Sequence, residues 1–157
     1  MKKILIILCL LAGVAVAGLI IFRNESQQSV PDSVQAENVI VGFGARLKNV
    51  PLTAEPAVLS ATLQKEYGPY VAPALLARWM DDPAHAPGRE TSSPWPERIE
   101  VTEIRTAGAY YEAVGNVVLM TSAELVSGGD AGRTPVYLTL AHLGGRWLIA
   151  EYQTSME

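Results

Sequence analysis

Apolar residues recur at three- and four-residue steps between Asp32 and Asp81, and at alternate positions from Glu97 onward. That change of period divides the body of the chain into a helical half and a strand half. The first predicted helix opens at Asp32, with Gln35 three residues on as a capping-box partner and Val39, Phe43, Leu47 and Val50 as its apolar stripe. Gly42 and Gly44 lie inside it. Each costs about 1 kcal/mol relative to alanine, which close packing against another element would offset. Pro51 stops this helix. A second starts near Thr53, tolerates Pro56 in its first turn, and carries Leu59, Leu63 and Tyr67 on one face. Gly68-Pro69 breaks it. A third follows with Pro73 in its first turn and Val71, Leu75 and Trp79 in its stripe, and Asp81-Asp82-Pro83 ends it.

Residues 83–96, PAHAPGRETSSPWP, are proline-rich and aperiodic, and so predict a long loop that is either functional or poorly ordered. The first strand is expected over Arg98–Thr106. Ile99 and Val101 share a face there but Ile104 is out of phase, so a bulge near Thr102-Glu103 is needed. A long second strand is expected over Ala109–Val126, with Tyr111, Ala113, Val117 and Leu119 on one side, before the glycine-rich turn from Ser127 to Gly132. Pro135–Leu143 forms the third strand, and Gly144-Gly145 turns it into the fourth, Arg146–Gln153. The predicted class is α+β, with three helices packed on one face of a curved antiparallel sheet of about four strands.

Ahead of this body, an uninterrupted apolar run extends from Ile4 to Phe22, with Lys2 and Lys3 before it and Arg23-Asn24-Glu25 after it. As a helix it would be roughly 28 Å long, the thickness of a bilayer's hydrocarbon core. The two lysines place the N-terminus in the cytoplasm and the rest of the chain outside it. Cleavage after Ala15-Val16-Ala17 is the competing reading. Gly18-Leu19-Ile20-Ile21-Phe22 continues the apolar run past that point, which favours a retained anchor. The expected organisation is a cytoplasmic tip and transmembrane anchor over 1–23, a polar tether over 24–33 reaching roughly 17 Å, and an extracytoplasmic domain over 34–157. The anchor makes the expected location the cell membrane, in a single pass.

Charge narrows the function. Beyond residue 23 the chain has nine Lys and Arg against sixteen Asp and Glu, a net of −7. That argues against nucleic acid, which needs clustered cations to neutralise phosphates. Cys9 is the single cysteine and sits in the apolar run, so the exported part has no disulfide and no thiol for a metal or a nucleophile. No cofactor motif is present. Gly128-Gly129-Asp130-Ala131-Gly132 lacks the lysine of a phosphate loop, and no loop supplies the six or more oxygens calcium requires.

The order of elements, and the closing pattern of Pro135-Val-Tyr-Leu-Thr-Leu followed by Gly144-Gly145-Arg146-Trp147-Leu148-Ile149, resemble the nuclear transport factor 2-like fold over roughly residues 34–154. That resemblance implies a cystatin-like α+β cone of helices and bent strands around a pocket, of the membrane-anchored bacterial type. A short span followed by such a domain is also similar in architecture to assembly components of type IV secretion and conjugation machines.

Enzymes of that fold work by acid–base chemistry inside the cone. His142 follows Leu138 and Leu140 in phase and can face the cone from its rim, whereas His85 belongs to the proline-rich loop. Ser92 and Ser93 belong to no recognisable nucleophilic triad. Asp81 and Asp82 stand at a helix C-terminus, where the dipole disfavours negative charge, although Asp-Pro is also an ordinary helix stop. No catalytic or metal-ligating set emerges. The candidate ligand or partner contacts are Tyr70, Trp79, Trp95, Tyr111 and His142, and Trp95 between two prolines is a rigid aromatic that can either dock a partner or cover the domain's own core. The expected function is a membrane-anchored extracytoplasmic interaction or scaffold domain without catalysis, through a protein partner or self-association. A small-ligand domain using the cone is the second reading, with a pocket lined by Trp79, Tyr111 and His142. A pocket enzyme is the third.

Overall fold

A computed structural model describes residues 30–154 of the chain. The apolar run 4–22, Cys9 and most of the tether lie outside the described residues. Among the described residues no helix is long and apolar enough to cross a membrane.

Helix α1 runs Asp32–Gly44, so Asp32 and Ser33 are helical and the tether is shorter by two residues. Gln35 Nε2 donates to Asp32 Oδ1 at 3.4 Å. The buried face of α1 is Ala36, Ile40, Phe43 and Gly44, not the stripe through Val39. The helix ends at Gly44, which lies against β1, where an added Cβ would stand 2.5 Å from Ile99 N. Leu47 and Val50 still reach the core, from a 3₁₀ turn over Leu47–Asn49 and the extended residue after it. Helix α2, Pro56–Tyr67, and helix α3, Pro73–Asp81, each start on a proline, whose missing N–H would be unbonded there anyway. They bury Leu59, Leu63 and Tyr67, and Leu75, Leu76 and Trp79.

Four strands, β1 Trp95–Ala107, β2 Tyr110–Met120, β3 Gly132–Leu143 and β4 Arg146–Thr154, form one antiparallel sheet in the order β1-β2-β3-β4. The class is therefore α+β. The expected bulge is present, with Thr102 unopposed between Val101 and Glu103. Two more break the register, at Glu97 in β1 and at Ala150 in β4. Each bends its strand and changes which side chains face the helices.

The second strand is shorter than its sequence suggests. It stops at Met120, and Ser122–Ser127 forms a short helix, α4, in place of the expected strand to Val126. Thr121-Ser-Ala-Glu124 is a capping box. The Thr121 hydroxyl accepts from Ala123 N at 3.1 Å and donates to the Glu124 carboxylate. These local bonds outweigh the strand preference of Leu125 and Val126, which remain exposed.

The helices cover one face of the sheet and pack on Ile99, Ala113, Val117, Val136, Leu138, Leu140 and Ile149. Residues 70–72 shield the β4 edge. Ile149 N donates to Tyr70 O at 2.9 Å, and Ala72 N donates to Ile149 O at 2.8 Å.

Candidate binding cleft

The space between helices and sheet is filled at its centre. The rings of Phe43, Tyr67, Trp79 and Tyr152 pack with centroids 4.8–6.1 Å apart, mostly tilted or edge-to-face. At one end Trp79 and Tyr152 of this cluster form part of the floor of an open cleft of about 1110 Å³. Leu75, Val117 and Leu119 extend the apolar floor, the end of α3 supplies Arg78, Asp81 and Asp82, and the loop 83–96 forms the facing lip with Pro87, Glu90, Thr91 and Pro94. Thr134 and Gln153 close it from the sheet side.

The proline-rich loop is tied down as a strap. Arg89 N donates to Val50 O at 2.7 Å, and Leu52 N donates to Arg89 O at 2.9 Å. The Tyr67 hydroxyl donates to Pro87 O at 2.5 Å. Gly88 is required between them, since a Cβ would stand 2.7 Å from Val50 O. Burial, and then the nearby Tyr152, raise the Tyr67 pKa well above the ordinary phenol value, so its hydroxyl stays protonated and donates at all ordinary pH. Burial likewise raises Tyr152. Where the strap runs into β1, Glu97 holds two groups: Lys48 Nζ at 2.6 Å from one carboxylate oxygen and Trp95 Nε1 at 2.7 Å from the other. Burial alone would raise the Glu97 pKa. The bonds from Lys48 and Trp95 outweigh it and hold the carboxyl below its usual range.

The five sequence candidates do not converge. Trp79 lines the cleft. Trp95 is half-buried behind the lip, with its indole N–H spent on Glu97, while the flanking Pro94 and Pro96 line the cleft in its place. Tyr70 packs on α1, where its ring fills the space a Gly42 side chain would occupy. Tyr111 and His142 stack edge-on against Trp147, at 4.8 and 5.1 Å, near the β3–β4 hairpin. The pocket expected from Trp79, Tyr111 and His142 together is therefore not formed: Tyr111 and His142 are not part of the cleft that Trp79 lines. His142 is an exposed rim residue. His85, in the proline-rich loop, borders the cleft and holds Asp82 through Nδ1···Oδ2 at 2.7 Å, with both side chains exposed.

Tyr152 is the cleft residue the sequence pattern misplaces. Counting by twos from Trp147 and Ile149 points Glu151 inward. The unopposed Ala150 shifts the phase by one, so Tyr152 pairs with Leu138 and faces the helices.

No protein-family model matches the chain, and no curated protein does. Among solved structures it is similar to a chain in the crystal structure of the type VI native effector-immunity complex Tae3-Tai3 from Ralstonia pickettii. The identity is 17%, the match covers 77% of this chain and 95% of that chain, and the TM-score is 0.44. A likeness of that size says nothing about what this chain binds.

Proposed function

We propose that residues 32–154 form a recognition module that takes a segment of another protein into the cleft. In this reading the domain is displayed outside the cytoplasm by a transmembrane anchor over residues 4–22. The observation that carries the proposal is the shape and lining of the cleft, about 1110 Å³ and open, with an aromatic floor and lips bearing charges of both signs. Small-molecule sites are typically 300–1,000 Å³, enclosed and mostly apolar. This cleft is of comparable volume but open, and an open groove with a hydrophobic centre suits a polypeptide better. Catalysis has no part in the reading. The His–carboxylate pair bordering the cleft, His85–Asp82, is exposed on the lip, where water screens it. The resemblance to the nuclear transport factor 2-like fold accords with helices on one face of a bent meander, and it remains part of the proposal.

Site-specific photo-cross-linking in intact membranes tests it. A photoreactive residue at Thr134, in the cleft, captures a defined protein, while one at the exposed Val58 on α2 does not. Absence of any cross-link from Thr134, or equal capture from Val58, overturns the proposal.

A further inference from the structure

We infer that the occupant of the cleft is an extended partner segment carrying a large apolar side chain beside a lysine or arginine. This rests on the recognition reading above and specifies its partner. The floor calls for acceptors. Trp79 is only 4% exposed and lines the cleft, and its Nε1–H has no acceptor among the described residues. The Tyr152 hydroxyl, on the same floor, likewise has no hydrogen-bond partner among the described residues. Among the described residues Trp147 Nε1 is the one side-chain polar atom both fully covered and unbonded, and it lies by Tyr111 and His142, away from this floor. Donors in an apolar floor are best met by backbone carbonyls, and an extended segment has carbonyls to offer where a helix has spent them on itself.

The lips set the charge. Asp81, on the end of α3, and Glu90, on the strap, have no ion-pair partner among the described residues, whereas Asp82 holds His85. Asp81 lies in the last turn of its helix, where the peptide dipoles disfavour an anion. Arg78 is the one unpaired cation bordering the cleft among the described residues, leaving the two carboxylates of Asp81 and Glu90 against one guanidinium. A partner cation placed between Asp81 and Glu90 gains charge-assisted bonds and steers the encounter. Its apolar neighbour then enters the floor beside Leu75, Val117 and Trp79.

The test is fluorescence anisotropy of the full chain in detergent with three labelled heptapeptides: a central leucine flanked by lysines, the same leucine flanked by glutamates, and a lysine-flanked alanine. The lysine–leucine peptide is expected to bind about tenfold or more tighter than either other, a preference that salt weakens. Asp81→Asn combined with Glu90→Gln abolishes the preference over the glutamate peptide and leaves the melting temperature unchanged, both side chains being exposed. Equal affinity for the glutamate peptide, or a preference that survives the double substitution, overturns the inference. A Thr134 cross-link together with equal affinities sinks this inference and leaves the recognition reading standing, while loss of both overturns both.

Discussion

Gly44 is where a single missing atom group decides how closely α1 approaches the sheet. A Cβ there would meet Ile99 N at 2.5 Å and Ile99 Cβ at 2.9 Å, neither of which can swing away. Gly44→Ala is therefore expected to cost about 1–3 kcal/mol, the usual range for overpacking, despite alanine's better helix propensity. Urea unfolding of the domain measures it, and a stabilised variant would disprove the close approach. Tyr67 plays the converse part, since its hydroxyl bonds the strap. Tyr67→Phe removes that bond and leaves Pro87 O without its donor, for a loss of about 1 kcal/mol. On this substitution, a larger acceleration of amide exchange at Leu52 and Arg89, whose bonds tie the strap, than at the core amides of β2 would locate the loss in the strap. The sequence showed Tyr67 as a stripe residue and gave no sign of its hydroxyl's target, because that target lies twenty residues on in an aperiodic loop.

Among the elements, α4 shows how short-range chemistry competes with pattern. The strand expected over Ala109–Val126 from its alternating apolar residues stops at Met120, because Thr121 and Glu124 stand at capping-box spacing and the chain turns helical. Thr121→Ala removes the cap. Exchange at the Leu125 and Gly128 amides, whose bonds run to Thr121 O and Glu124 O, is expected to accelerate, with global stability falling by no more than about 1 kcal/mol. The start of β1 carries a pH dependence. Glu97 has a folded pKa below its unfolded value near 4.5, so its stabilising contribution is complete above that value and is lost as pH falls through the folded pKa. The urea midpoint should fall below about pH 4.5, and Glu97→Gln should flatten that fall. An unchanged slope in the variant would assign the acid sensitivity to other carboxylates, such as Glu66, whose pKa is lowered first by its bond from Asn49.

For the whole molecule, the proposal separates an anchor from a recognition domain, and the two fail independently. The full chain is expected to resist carbonate extraction from membranes, and deletion of residues 1–23 to release a domain whose melting temperature and cross-linking partner are retained. Release of the full chain would remove the anchor alone. The helical half, the strand half, the meander and the bulge at Thr102 follow from sequence period, because burial of one face imposes a repeat of 3.6 or 2 on apolar residues. The acidic balance and the absence of clustered cations are likewise properties of the sequence. The cleft is not, for it is assembled from α3, the strap and the sheet end, separated by tens of residues and sharing no period. Trp79 was legible as an inward aromatic. Tyr152 was not, because one extra residue at Ala150 reverses the side of the sheet on which it lies. Local repeats determined the elements, whereas register shifts and the bonds that hold the strap, visible only in three dimensions, decided where the surface stays open.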